Sequence, residues 1–335
     1  MKRRWRAAAA VTPLLLLLAA CAGNAPQDTL EPKGPVARQI DNLINPVFIV
    51  AGVIFVLVQG LAVYAVIRFK NRDDGAPEPV QIHGNTRLEL TWTVIPALIL
   101  VAVAVPTIKV IFDLSRTPAN ALEVTVIGHQ FWWEMRYEDL GIVTANELHM
   151  PAGRPVEITL KGAKDDVIHS FWIPPLAGKQ DIIPGRESRM SFEADEPGVY
   201  LGQCTEYCGL SHANMRATAV AHTPEEFDAW VRNQQAGPRT PAAGSPAAEG
   251  EALFTAKGCA GCHTIEGIGQ GTVGPNLTHY MSRAVFAGAM FDNTPGNLTR
   301  WLRDPPAVKP GSKMPNLGLT PDEIAKLVAY LQTLN

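Results

Sequence analysis

The chain has 335 residues, 47% of them hydrophobic and 18% charged, with a formal net charge of −3. That length holds two small domains plus membrane segments, and so even a charge balance argues against a nucleic-acid partner. Five cysteines are too few for a disulfide scaffold. Their grouping is the useful signal: Cys21 alone, then C-x-x-x-C, then C-x-x-C-H.

Residues 1–20 start with a basic run and pass through an apolar stretch to small residues, the form of a removed export signal. Leu18-Ala19-Ala20-Cys21 has the form of a bacterial lipobox, which predicts a lipid on Cys21. An ordinary cleaved signal is the alternative. Residues 21–41 then form an exported segment, and residues 42–115 read as a transmembrane hairpin. Residues 45–67 carry no charge and are long enough to cross a bilayer, which takes about 20 apolar residues. Residues 93–108 are shorter, but Trp92, Phe112 and a snorkelling Lys109 extend the run. Buried helices of a soluble domain are the alternative for both. Arg68, Lys70, Arg72 and Arg87 put the connector on the cytoplasmic side, so both ends of the hairpin face outward.

Residues 116–232 change character. Leu122-Glu-Val-Thr-Val-Ile127 and Val156-Glu-Ile-Thr-Leu160 alternate in polarity between Pro- and Gly-rich turns, which predicts an all-β sandwich. Residues 233–248 are dominated by Pro, Ala, Gly and Ser and read as a flexible linker. Residues 249–335 read as a helical domain. Its last helix carries Ile324, Leu327, Val328 and Leu331 on one face, behind a capping box of Thr320 and Glu323.

Cys204-Thr-Glu-Tyr-Cys208-Gly-Leu-Ser-His212-Ala-Asn-Met215 gathers two thiolates, an imidazole and a thioether in one loop, a donor set that suits copper. A mononuclear blue-copper site uses one cysteine; a second thiolate lets two copper ions be bridged. Each metal then needs a nitrogen. His212 supplies one, and His169 is the best candidate for the other. A disulfide or a zinc site is the alternative, and neither accounts for Met215. The loop offers no open coordination position and no general base, so no catalytic residue is assigned and the site moves electrons.

Cys259-Ala-Gly-Cys262-His263 is the haem c attachment motif. Its cysteines lie about one helical turn apart and can bond both vinyl groups, while His263 reaches the iron. A zinc ribbon would need a second C-x-x-C, and no cysteine remains for it. Met314 is the best candidate for the distal iron ligand, with Met281 and Met290 as alternatives. His83, His149, His222 and His279 show no partner pattern and read as surface or packing residues.

The loop 204–215 resembles the Cu(A) loop of cytochrome c oxidase subunit II, C-x-E-x-C-x-x-x-H-x-x-M. The likeness extends to His169-Ser-Phe-Trp172, Lys179-Gln-Asp-Ile-Ile-Pro-Gly-Arg186, Gly128-His-Gln-Phe-Trp-Trp133 and Leu88-Glu-Leu-Thr-Trp-Thr-Val-Ile-Pro96. The Met314 segment, Gly274-Pro-Asn-Leu277 and Trp301-Leu-Arg-Asp-Pro305 resemble class I cytochromes c. Together they resemble the cytochrome-c-fused subunit II of caa-type haem-copper oxidases. The resemblance implies a multidomain fold: a two-helix transmembrane hairpin, an all-β cupredoxin Greek-key sandwich and an all-α class I cytochrome c domain. It also implies that the Glu206 carbonyl and Met215 complete the copper shells, and that the Glu206 side chain reaches a magnesium ion shared with subunit I. Glu89 matches the acid at the entrance of a proton channel into subunit I; a solvated interfacial acid is the alternative.

Phe131 departs from the family, where a tryptophan at that place receives electrons from soluble cytochrome c; Trp132 and Trp133 remain beside it. The implied partners are subunit I, subunit III, membrane lipid and an external cytochrome c or other periplasmic donor, at the bacterial inner membrane. The implied electron order is donor, haem c, dicopper centre, subunit I, where oxygen is reduced and protons are pumped. Tethering of the haem gives a local concentration in the mM range. Residues 249–335 carry seven Lys and Arg against seven Asp and Glu, so docking on the acidic sandwich is not expected to rely on a large charge match. The input subunit of a nitric oxide reductase is an alternative. A soluble nitrous oxide reductase lacks the hairpin, and a copper-delivery protein needs no haem.

Overall fold

In the computed structural model residues 25–70, 80–81 and 83–335 are described; the signal, Cys21 with its expected lipid, and most of the charged connector lie outside them. Two long helices come first, α1 (Pro35–Phe69) and α2 (Thr86–Leu114). At 1.5 Å per residue they run about 52 and 43 Å, more than the ~30 Å hydrocarbon core. Among the described residues nothing buries their apolar windows, as lipid-facing surfaces require.

Both helices begin before the apolar runs do. The early start of α1 is a tertiary effect. Lys33 and Ala37 donate backbone hydrogen bonds to Pro175 and Leu176 at 2.8 and 3.2 Å, and Arg38 pairs with Asp195. The first turns of α1 are therefore seated on the next domain, outside any bilayer. α2 starts at an Asn85 cap, which accepts from the Leu88 amide at 3.2 Å.

The middle domain is a sandwich of two five-stranded sheets. One has the order β3-β2-β1-β5-β8 and the other β4-β10-β9-β6-β7. The strands are β1 (Leu122–His129), β2 (Trp132–Tyr137), β3 (Ile142–Ala145), β4 (Glu147–Pro151), β5 (Val156–Gly162), β6 (His169–Trp172), β7 (Gln180–Ile182), β8 (Glu187–Phe192), β9 (Gly198–Cys204) and β10 (Arg216–His222). β1–β5 and β4–β10 are parallel pairs and the rest are antiparallel. In β1, Leu122, Val124 and Val126 point inward, as the alternation predicts. Trp133, Met135, Ile158, Leu160 and Phe171 fill the space between the sheets with no exposed surface. Helix α3 (Pro224–Gln234) closes one end by burying Phe227 and Trp230.

Of the stretch expected as linker, only residues 235–245 lie outside helices, because Ser245 caps a new helix, α4 (Pro246–Ala256), with Pro246 in its first turn. The C-terminal domain adds α5 (Pro295–Arg303), α6 (Pro305–Val308), α7 (Pro321–Leu331) and two small hairpins, one of β11 (Thr264–Ile265) and β12 (Gly269–Gln270), the other of β13 (Val285–Phe286) and β14 (Phe291–Asp292). α4 crosses α7 at Gly250, where a Cβ would meet the Lys326 carbonyl oxygen at 2.1 Å. Only glycine permits that approach.

Candidate metal centre and haem site

β9 ends at Cys204 and β10 begins one residue after Met215, so the loop expected to bind copper is the turn of an antiparallel hairpin. The Cys204 amide donates to the Met215 carbonyl at 2.9 Å and closes its base. The Thr205 amide donates to Ser170 at 3.0 Å and ties the loop to β6. Phe171 pairs with Cys204 across β6 and β9, and that register carries His169 to the sulfurs.

Six donor atoms then converge. Cys204 Sγ lies 3.9 Å from Cys208 Sγ, 3.9 Å from His169 Nδ1 and 3.2 Å from the Glu206 carbonyl oxygen. Cys208 Sγ lies 3.6 Å from His212 Nδ1 and 3.8 Å from Met215 Sδ. His169, Cys204 and Cys208 are buried and their ligand atoms lie within 4.8 Å of one another. The cysteines are free, which removes the disulfide alternative. Hydrogen bonding from Cys208, His169 and backbone groups pulls the Cys204 thiol down to about 4, while the hydrogen bond to Cys204, burial and the charge on Cys204 push Cys208 up. Without metal the pair is thus one thiolate and one thiol; ionising both buried sulfurs needs cations between them, and the donor set fits copper.

Asp166 escaped the sequence reading. Its Oδ1 is 3.4 Å from His169 Nε2, which leaves Nδ1 facing the sulfurs. Its Oδ2 accepts from the Gln130 amide at 2.9 Å and lies 3.6 Å from Lys313 Nζ. Burial alone would raise its pKa; bonds from His169, Gln130 and Val167 with the charge of Lys313 hold the carboxyl well below its ordinary range. A carboxylate three residues before a candidate ligand histidine was the available signal.

The aromatic run divides its contacts. Trp133 is fully buried, edge-on to His169 at 5.9 Å between centroids. Trp132 stacks on His129 at 4.4 Å. Phe131 is buried, with its ring against Gly209 beside Cys208. The Glu206 side chain is exposed while its carbonyl faces Cys204. Glu89 is exposed in the first turn of α2 and accepts from the Asn85 amide at 3.1 Å.

The C-terminal domain surrounds a cavity of about 370 Å³, lined by Cys259, Cys262, His263, Trp301 and Met314 among apolar residues. His263 Nδ1 donates to the Pro275 carbonyl at 2.8 Å, so Nε2 is the nitrogen left for a ligand. Burial lowers the His263 pKa and keeps the ring neutral, as iron binding needs. Met314 lines the cavity and accepts from Trp301 Nε1 at 3.2 Å, whereas Met281 and Met290 do not line it. Two thiols, an imidazole and a thioether around one apolar space fit a covalently held haem.

The wall of that cavity includes Phe131, Trp132 and Asp166 from the sandwich. The domain expected to move on a tether is seated on the copper loop, held by bonds to backbone carbonyls from Lys309, Ser211 and the Arg216 amide, by bonds to the Glu147 and Thr144 side chains, and by the Lys313–Asp166 pair. Two histidines read as ordinary packing residues also pair: His149 Nδ1 lies 2.8 Å from His222 Nε2, and His149 Nε2 lies 3.2 Å from buried Glu147. His279 Nδ1 donates to the Asn335 carbonyl at 3.0 Å, and His83 is exposed.

A family model of the periplasmic domain of cytochrome c oxidase subunit II matches residues 142–221, one of its transmembrane domain matches 28–110, and one of cytochrome c matches 247–335. The chain is 40% identical to cytochrome c oxidase subunit 2 of Alkalihalophilus pseudofirmus, over 98% of each chain. It is 36% identical to that of Bacillus sp. strain PS3, over 98% of this chain and 97% of the relative. Among solved structures it resembles the periplasmic domain of cytochrome oxidase subunit II of Bradyrhizobium japonicum, at 29% identity and a TM-score of 0.34, covering 36% of this chain and 97% of that one.

Proposed function

This chain belongs to the family of cytochrome c oxidase subunit II, and from that premise we propose a two-station electron relay within it. It is a membrane protein with soluble domains, and its family's copper domain and cytochrome c domain are both present. In the proposed relay Cys259 and Cys262 hold haem c covalently, and His263 and Met314 ligate its iron. His169, Cys204, Cys208 and His212, with the Glu206 carbonyl and Met215, hold a binuclear Cu(A) centre. The two groups supply reversible one-electron chemistry when bound.

The chain's own residues do the rest. Asp166 orients His169. The β6–β9 register limits ligand movement, which keeps the reorganisation accompanying each electron small. The exposed Glu206 carboxylate reaches magnesium at the interface with subunit I, and Glu89 lies at the entrance of a proton channel there. Electrons arrive from an external cytochrome c or another periplasmic donor, and leave for subunit I, which reduces oxygen and pumps protons; subunit III completes the partners. Both soluble domains face the periplasm from the inner membrane, with Cys21 as a lipid anchor. The observation that carries this reading is the convergence of three side chains, His169, His212 and Met215, and the Glu206 carbonyl on two sulfurs 3.9 Å apart.

Spin resonance and optical spectra of the purified chain test it. A seven-line copper hyperfine pattern together with a c-type haem band is expected. A four-line pattern, or no c-type band, would sink the proposal.

A further inference from the structure

The C-terminal domain makes two hydrogen bonds to the copper loop and its edge, each next to a proposed ligand, and a third to Phe131. The Arg216 amide, beside Met215, donates to the Gly288 carbonyl at 2.9 Å. Ser211 Oγ, beside His212, donates to the Pro310 carbonyl. Lys309, just after α6, donates from Nζ to the Phe131 carbonyl at 2.6 Å and to the Ala287 carbonyl at 2.7 Å. Lys309 is 3% exposed. A lysine so buried is rare unless its polar end is satisfied, and here both acceptors are backbone carbonyls, one from each domain.

Phe131 is the residue this arrangement holds. A Cβ at Gly209, beside Cys208, would meet its ring at 3.2 Å; one at Gly311, in the C-terminal domain, would meet the ring at 3.1 Å. The ring thus fills the gap between the copper loop and the haem domain, and it borders the haem cavity. Gln130 Nε2 donates to the Cys208 carbonyl and secures the preceding residue. Gly288, at φ +76°, lets the β13–β14 hairpin approach: a Cβ there would lie 2.6 Å from Lys309 Nζ and 2.8 Å from the Phe131 carbonyl oxygen.

We propose that Lys309 is a positioning residue for electron transfer from haem to copper, locking Phe131 as the bridge between the two centres. The inference rests on the reading of those centres given above. One electron passes from reduced haem to the oxidised dicopper centre, with no bond made or broken and no proton moved. Lys309 lines the wall of the haem cavity, but its Nζ is spent on two backbone carbonyls and on no proposed ligand; it removes the freedom of the gap the electron crosses.

The test uses the full chain in detergent, with haem-to-copper transfer followed after flash reduction of the haem. Lys309→Met is expected to slow transfer about tenfold or more, since small misplacements in a transfer geometry are costly. The copper hyperfine pattern should stay as in the unaltered chain, and the loss of rate should exceed what any shift in either midpoint potential from the deleted buried charge accounts for. Amide exchange over residues 205–215 should rise in the same variant before metal is added, and Lys309→Arg should restore part of the rate. Ser282→Ala removes a contact from Gln234 elsewhere on the same interface and should leave the rate within about twofold, as expected of a contact outside the bridge.

An unchanged rate in Lys309→Met, or an equal loss in Ser282→Ala, overturns the proposal. If Lys309→Met does not take up haem, the unaltered chain decides. Its transfer rate should not change between about 0.05 and 0.5 M salt, because a desolvated contact is barely screened; a steep fall with salt overturns the proposal. Missing copper or haem signals in the unaltered chain defeat the earlier reading instead.

Discussion

In the sandwich, the proposed copper ligands sit at one end of a core made of side chains alone, where Trp133, Met135, Leu160 and Phe171 meet with no exposed surface. In the C-terminal domain, the proposed haem ligands stand around a cavity of about 370 Å³ whose walls include Leu327 and Leu331 of its last helix. The first domain positions its metals with a frame that is already packed. The second uses its prosthetic group as the centre of its core. Loss of the bound group should therefore remove function from the sandwich but fold from the helical domain.

The strongest way to break this contrast is to block haem attachment. With Cys259→Ala and Cys262→Ala, the cavity has nothing covalently fixed in it. Phe254, Leu327 and Leu331, which line the cavity, then lose the apolar surface they pack on, a large loss for a domain whose whole stability is about 5–15 kcal/mol. The variant should lose the C-terminal domain to limited proteolysis at residues 235–245 while the sandwich survives with its copper signal. A protease-resistant helical domain in that variant would end the comparison.

A cut into the sandwich core should do the reverse. Leu160→Ala is expected to cost about 2–5 kcal/mol, lowering the melting of the copper domain while the haem band keeps its intensity. Copper removal should cost less. A site saturated at about a hundred times its dissociation constant gains ~2.7 kcal/mol, so a chelated chain should melt earlier yet keep its sheet signal in circular dichroism. Loss of the sheet signal on chelation would mean that the ligands are ordered only by metal.

How much of this could be read beforehand follows the same division. The copper loop was legible because five of its six donors lie within twelve residues of one hairpin. The haem-binding residues were legible because three of the four, Cys259, Cys262 and His263, fall within five positions in a known attachment pattern. The seating of one domain on the other was not. Lys309 meets a carbonyl 178 positions away, and Arg283 meets Thr144 139 positions away; a lone cation aimed at a backbone acceptor leaves no period and no motif. The early start of α1 was hidden for a related reason, since hydrogen bonds to Pro175 and Leu176, rather than hydropathy, hold its first turns.

The smallest effect gives the sharpest test of whether the two domains melt separately. Thr320 Oγ1 accepts from the Glu323 amide at 3.3 Å, and Glu323 Oε2 accepts from the Thr320 amide at 2.9 Å. Glu323 also pairs with Lys257 at the end of α4, at 2.6 Å. The cap thus fixes the start of α7, and with it the wall that Leu327 and Leu331 give the haem cavity. Thr320→Ala should cost about 1 kcal/mol, a fall of about 4–8 °C in the melting of a domain this size, read at the haem band in calorimetry with parallel absorbance. The copper-domain transition should stay where it is. If both transitions move together, the contacts made by Lys309 and Arg283 bind the domains into one cooperative unit, and the contrast between them belongs to their sites and not to their stability.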